Sequence, residues 1–191
     1  MKSKRWYSPK IATNLHRCYA RASATDRAEG LAWYENAHEV AVQLGARYGV
    51  TTRDACGVLA ALSPGRQWGM NVQDADTFLD EWSHGARGKR LPLVGSYGWR
   101  NILKAAKCAS GIDPMEVLGG FKVRAFYACM FNPQSVDVCI DRHAKSVALG
   151  YKLPESQAVV RDARSTPAPI SSGVLGSVET ARRSTRTARF I

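Results

Sequence analysis

Three things are missing from this sequence. It has no apolar run long enough to span a bilayer, no C-x-x-C pair, and no sustained alternation of apolar and polar residues. The first absence argues against a membrane helix and the second against zinc-ribbon or dithiol chemistry. The third argues against a β-sheet. The N-terminal Met1-Lys-Ser-Lys-Arg-Trp6 lacks the apolar core of a secretory signal, so the expectation is a cytoplasmic protein with no membrane partner. Acidic residues are also scarce: 16 Asp and Glu face 27 Lys and Arg, which gives a formal charge of +11 and a pI near 9.7. An excess of that size favours polyanionic partners, nucleic acid first, because binding releases condensed counterions. An acidic membrane surface or an acidic protein partner is the alternative.

The five cysteines are odd in number and scattered, at Cys18, Cys56, Cys108, Cys129 and Cys139. Neither a disulfide framework nor a metal site follows, and no metal or cofactor is expected. Cys56, Cys129 and Cys139 sit among apolar neighbours and read as small buried hydrophobes in a reducing compartment.

The patterning that is present is helical. Residues 9–21 and 25–48 place apolar side chains at three- and four-residue steps, the second through Leu31, Tyr34, Ala37, His38, Ala41, Val42 and Leu44. Thr25-Asp26 reads as its start and Gly49 as its stop. Thr52 reads as the cap of a core helix over Ala55 to Leu62, broken by Ser63-Pro64-Gly65. Helices follow over 71–82, 97–108, a short one from Asp113-Pro114, then 122–130 and 141–149, with Ser83 to Arg90 as a basic loop. The fold class expected is all-α, a multi-helix domain over 1–153. Beyond Pro154, Ser, Thr, Ala and Arg dominate, so 154–191 reads as a poorly ordered basic tail. Its Arg182, Arg183, Arg186 and Arg189, like Lys4 and Arg5 beside Trp6 and Tyr7 at the other end, would suit a nucleic-acid arm.

Two stretches carry chemistry. Leu118-Gly-Gly-Phe-Lys-Val-Arg-Ala-Phe126 is a glycine turn feeding a helix, and Val138-Cys-Ile-Asp-Arg-His143 presents an Asp-x-His at a helix start. Glycines let backbone amides approach a phosphate, and a helix N-terminus favours an anion. Gly119, Gly120, Phe121 and Lys122 would grip a phosphodiester, with Arg124 adding charge. An ordinary turn and an ordinary N-terminal aspartate remain the alternatives. Arg66, Gln67, Trp68 and Asn71 lie on the Ser63–Asn71 turn, where an aromatic and amides suit either a flipped base or a sealed capping turn.

Taken in order, Leu59 to Asn71, the hairpin at Leu118 to Phe126 and Asp141-Arg142-His143 resemble the helix-hairpin-helix DNA glycosylase superfamily. The resemblance spans roughly Thr52 to Leu149 and extends to small glycosylase-related proteins of bacteriophages, some of whose relatives act in thymine hypermodification. It implies a helical DNA-binding protein of a bacterial or phage-infected cell. Asp141 would be the catalytic carboxylate that stabilises the sugar cation or activates the nucleophile after base flipping. Lys122 stands where that family has its second hairpin glycine. Arg124 stands at or beside the lysine nucleophile of bifunctional members, and an arginine stays protonated, so a monofunctional N-glycosylase or a base-modifying relative is implied. The resemblance implies no iron-sulfur cluster, since no cysteine follows Cys139, and gives His143 a packed structural role. The alternative is a non-catalytic helix-hairpin-helix DNA-binding protein.

Overall fold

The computed structural model describes residues 9–153 apart from Tyr97. The expectations for Lys4, Arg5, Trp6 and Tyr7, for Tyr97 as a helix start, and for the tail with its four arginines lie outside the described residues. Within them the chain is all-α, with eight α-helices, a short 3-10 helix at Gly88–Arg90 and no strand. No helix there is long and apolar enough to cross a membrane. The chain divides into two compact units, one formed by Tyr34–Cys139 and the other by the sequence on either side of it.

The flanking unit contains α1 (Pro9–Arg21), the start of α2 (Ala24–Tyr48) and α8 (Arg142–Leu149). Here α8 packs on α1. Asn14 donates its amide to the carbonyl of Ala148 at 3.0 Å, and Gly150, at φ +78, ends the helix in a left-handed turn. Such a turn satisfies the last carbonyls: the amides of Gly150 and Tyr151 both reach Ser146 O. The cap of α2 differs from expectation. Ser23 rather than Thr25 begins it, the Ser23 hydroxyl accepting from the Asp26 amide while Asp26 accepts from Ser23. This is a reciprocal capping box, and the Ser-x-x-Asp spacing two residues earlier encoded it.

In the central unit α3 (Thr52–Leu62) is the hub, touching α4 (Trp68–Ser83), α5 (Trp99–Ala109), α6 (Pro114–Val117) and α7 (Phe121–Phe131). Every residue from Asp54 to Leu62 is buried, as a helix apolar on all sides requires. Its cap is Thr51, one residue before the Thr52 expected, with the hydroxyl accepting from the Asp54 amide. The close approach of α5 and α6 depends on Gly57. A Cβ there would stand 2.7 Å from Pro114 Cγ and 2.8 Å from Cys108 Cβ.

The second half of α2 presents Tyr34, Ala37, Ala41 and Leu44 as a buried stripe, while Leu31 is exposed. His38 Nδ1 lies 3.0 Å from Met130 O of α7. Cys56, Cys129 and Cys139 are buried as expected, and Cys108 joins them. Burial pushes the Cys56 and Cys108 thiols up to about 12 and Cys129 to about 11, so all three stay protonated at neutral pH.

The Gly57 crossing yields a direct test. Gly57→Ala adds one methyl where a proline ring and a cysteine stem already stand, and should destabilise the protein by about 1–3 kcal/mol in urea unfolding. An unchanged midpoint would show that α5 and α6 can retreat freely from α3.

Candidate nucleic-acid interface

The glycine hairpin is built from the core outward. Leu118 is buried and closes α6, its amide donating to Pro114 O at 2.8 Å. Gly119 and Gly120 then emerge at the surface, with Gly120 at φ +80, a conformation open to glycine without strain. Gly120 is also the residue before α7 and offers no side chain to cap it. Amides in the first turn of a helix lack intrahelical acceptors, so those of Phe121 and Lys122 are presented with the positive end of the α7 dipole. No side chain would meet a Cβ on Gly120 within 4 Å.

Around this turn the side chains divide sharply. Phe121 is 59% exposed, and Lys122 is exposed with no ion pair among the described residues. The Lys122 carbonyl is held by the Cys139 thiol at 3.5 Å, which ties the chain after α7 back to the start of that helix. Arg124, expected to add charge, turns its Nε back onto Leu118 O at 2.8 Å and so braces the hairpin. Lys104 of α5 is the residue sequence reasoning missed. Its Nζ lies 3.5 Å from where a Cβ on Gly119 would stand. The signal was available in Arg100, Lys104 and Lys107, spaced four and three apart on a helix whose opposite face buries Ile102, Ala105 and Cys108.

The Ser63–Asn71 turn belongs to the same unit. Trp68, the first residue of α4, sets its ring edge-on to Phe126 of α7, with centroids 6.4 Å apart. That contact brings the two sequence-distant motifs together. Within the turn, Arg66 is bound by both oxygens of Asp74 across a largely buried pair. Gln67 is exposed at the N-cap of α4. Asn71 is only 1% exposed: its amide nitrogen donates to Leu59 O at 3.2 Å, and its Oδ1 has no partner among the described residues. So Gln67 faces outward, Trp68 is half-buried, Arg66 is held in an internal pair and Asn71 is inside. In the basic loop, Arg87 lies over the Trp82 ring at 3.4 Å and donates to the carbonyls of Trp82 and Ala86, while Lys89 and Arg90 are exposed.

Asp141 lies in the flanking unit. It is the N-cap of α8, and its Oδ1 accepts from the Ala144 amide at 2.8 Å. The carboxylate therefore stands half-buried at the N-terminus of a helix. His143 is exposed rather than packed, because Ala144 is the residue of this turn that faces inward. No group of three or more metal-ligating His, Cys, Asp or Glu side chains occurs among the described residues.

Since an amide oxygen can accept the same bond, Asp141→Asn should keep the α8 cap, whereas Asp141→Ala should lose about 1 kcal/mol of stability. Thermal unfolding of the two variants checks this. Equal losses would mean that charge, and not the hydrogen bond, holds the helix start.

A model of a family of unknown function, DUF7178, matches residues 1–166. No curated protein and no solved structure matches the chain. With the match spanning well over half of its 191 residues, the chain belongs to the DUF7178 family.

Proposed function

We propose that this protein binds DNA through its phosphate backbone, in the manner of a helix-hairpin-helix glycosylase, with the Gly119-Gly120 turn as the phosphate clamp. The observation that carries this reading is the uncapped N-terminus of α7, entered through a glycine at φ +80 and flanked by two cations, Lys104 and Lys122. A backbone amide pair, a helix dipole and two lysines all favour one ligand charge, and phosphate fits the geometry of such a turn. The Trp68–Phe126 contact supports the same reading, since it joins two of the stretches that carry the resemblance. Binding of this kind is independent of base sequence.

A second reading adds chemistry: a monofunctional base N-glycosylase or a base-modifying enzyme that acts on a flipped nucleotide. It is favoured by Asp141, a half-buried carboxylate held in fixed orientation at a helix N-terminus, where it would stabilise a developing sugar cation. The non-catalytic binder keeps the clamp without this step. Incubation with DNA carrying uracil, alkylated, oxidised or hypermodified bases, read by mass spectrometry, separates the two. Base release or conversion that disappears in Asp141→Asn establishes the enzyme, and its absence beside intact binding leaves the binder.

For the clamp itself, DNA affinity should fall log-linearly with salt. Lys122→Ala should weaken binding across all sequences and lower the salt slope by about one. Binding that ignores both salt and Lys122→Ala would contradict the proposal.

A further inference from the structure

We infer that the outer face of α5 extends the hairpin into a track for single-stranded DNA, with Trp99 and Phe121 as stacking platforms for unpaired bases; this rests on the DNA-binding reading above. The helix is strongly two-sided. Ile102, Ala105, Cys108 and Ala109 face the core. Arg100, Lys104 and Lys107 fall together on another face, and none forms an ion pair among the described residues. At 1.5 Å of rise per residue, the three cations span about 10 Å of helix. Lys104 is the joint, since its Nζ stands beside Gly119 and so links the stripe to the clamp.

The aromatics decide the form of the DNA. Trp99 immediately precedes Arg100 and is 39% exposed, and Phe121 immediately precedes Lys122 and is 59% exposed. Two of the four cations, Arg100 and Lys122, thus directly follow a large exposed aromatic in the chain. In an intact duplex the faces of the bases are covered by their neighbours, so a side chain rising from a phosphate-binding turn meets only sugar and base edges. An unpaired base can swing onto such a ring, and stacking of this kind tolerates any base. The same two aromatics would gain little from a duplex, while the cations would serve either form.

Fluorescence anisotropy of the full chain with labelled single-stranded and duplex oligonucleotides of one sequence, over about 50 to about 200 mM salt, tests this. Tighter binding to the single strand is expected. Arg100→Ala and Lys107→Ala should each reduce the single-strand salt slope by about 0.7. Phe121→Ala should weaken single-strand binding about tenfold, with its salt slope unchanged and duplex binding little altered. Loss of affinity in Lys122→Ala alone, with the other three variants like wild type, would overturn this inference and leave the clamp standing. Equal loss on both DNA forms in Phe121→Ala would also overturn it. Absence of any DNA binding would end both readings.

Discussion

The central unit depends on one close contact, the crossing of α3 with α5 and α6 at Gly57. Because that position carries no side chain, Cys108 and Pro114 settle directly against α3. This seats α5 with its apolar face inward and sets the short α6 from which the hairpin leaves. Both parts of the proposed interface are therefore fixed by packing on a helix that is itself buried from Asp54 to Leu62. A rigid core beneath a turn matters for phosphate binding, since amides that must be ordered on contact would lose much of their advantage to entropy.

A second principle runs across the surface: which cations are already committed. Arg66 is bound to Asp74, Arg53 to Asp54 and Gly111 O, Arg87 to its own loop and the Trp82 ring, and Arg124 to Leu118 O. These arginines tie backbone carbonyls and carboxylates together with their planar, multi-donor heads. The lysines at the hairpin do nothing of the kind. Lys104 and Lys122 form no ion pair among the described residues and stand beside exposed glycines. The division between these committed arginines and the outward Lys104, Lys122 and Arg100 gives the charge of this unit a direction.

Much of the fold was legible because helices announce themselves by period and punctuation. The stripe Tyr34, Ala37, Ala41 and Leu44, the breaker Ser63-Pro64-Gly65 and the Asp113-Pro114 start all have local causes, and the structure follows them. Helix starts were less legible. Ser23 and Thr51 cap where Thr25 and Thr52 were expected, because neighbouring hydroxyls compete for one role and only backbone geometry decides between them. At the candidate site, the glycine turn could be read from its letters. The fate of individual side chains could not. Arg124 and Asn71 look like ligand-binding residues in one dimension, yet the structure turns the first onto a carbonyl and places the second at 1% exposure. Conversely, Lys104 is 15 residues from Gly119 in sequence, and only the packing of α5 brings it to the turn.

The central claim is that DNA meets the hairpin amides. Titration of the ¹⁵N-labelled protein with a short oligonucleotide, followed by amide chemical shifts, tests it at the residues concerned. The account predicts the largest early shifts at Gly119, Gly120, Phe121 and Lys122, with the α3 amides unmoved. Shifts that leave this turn untouched while the DNA is bound would place the interface elsewhere and contradict the account.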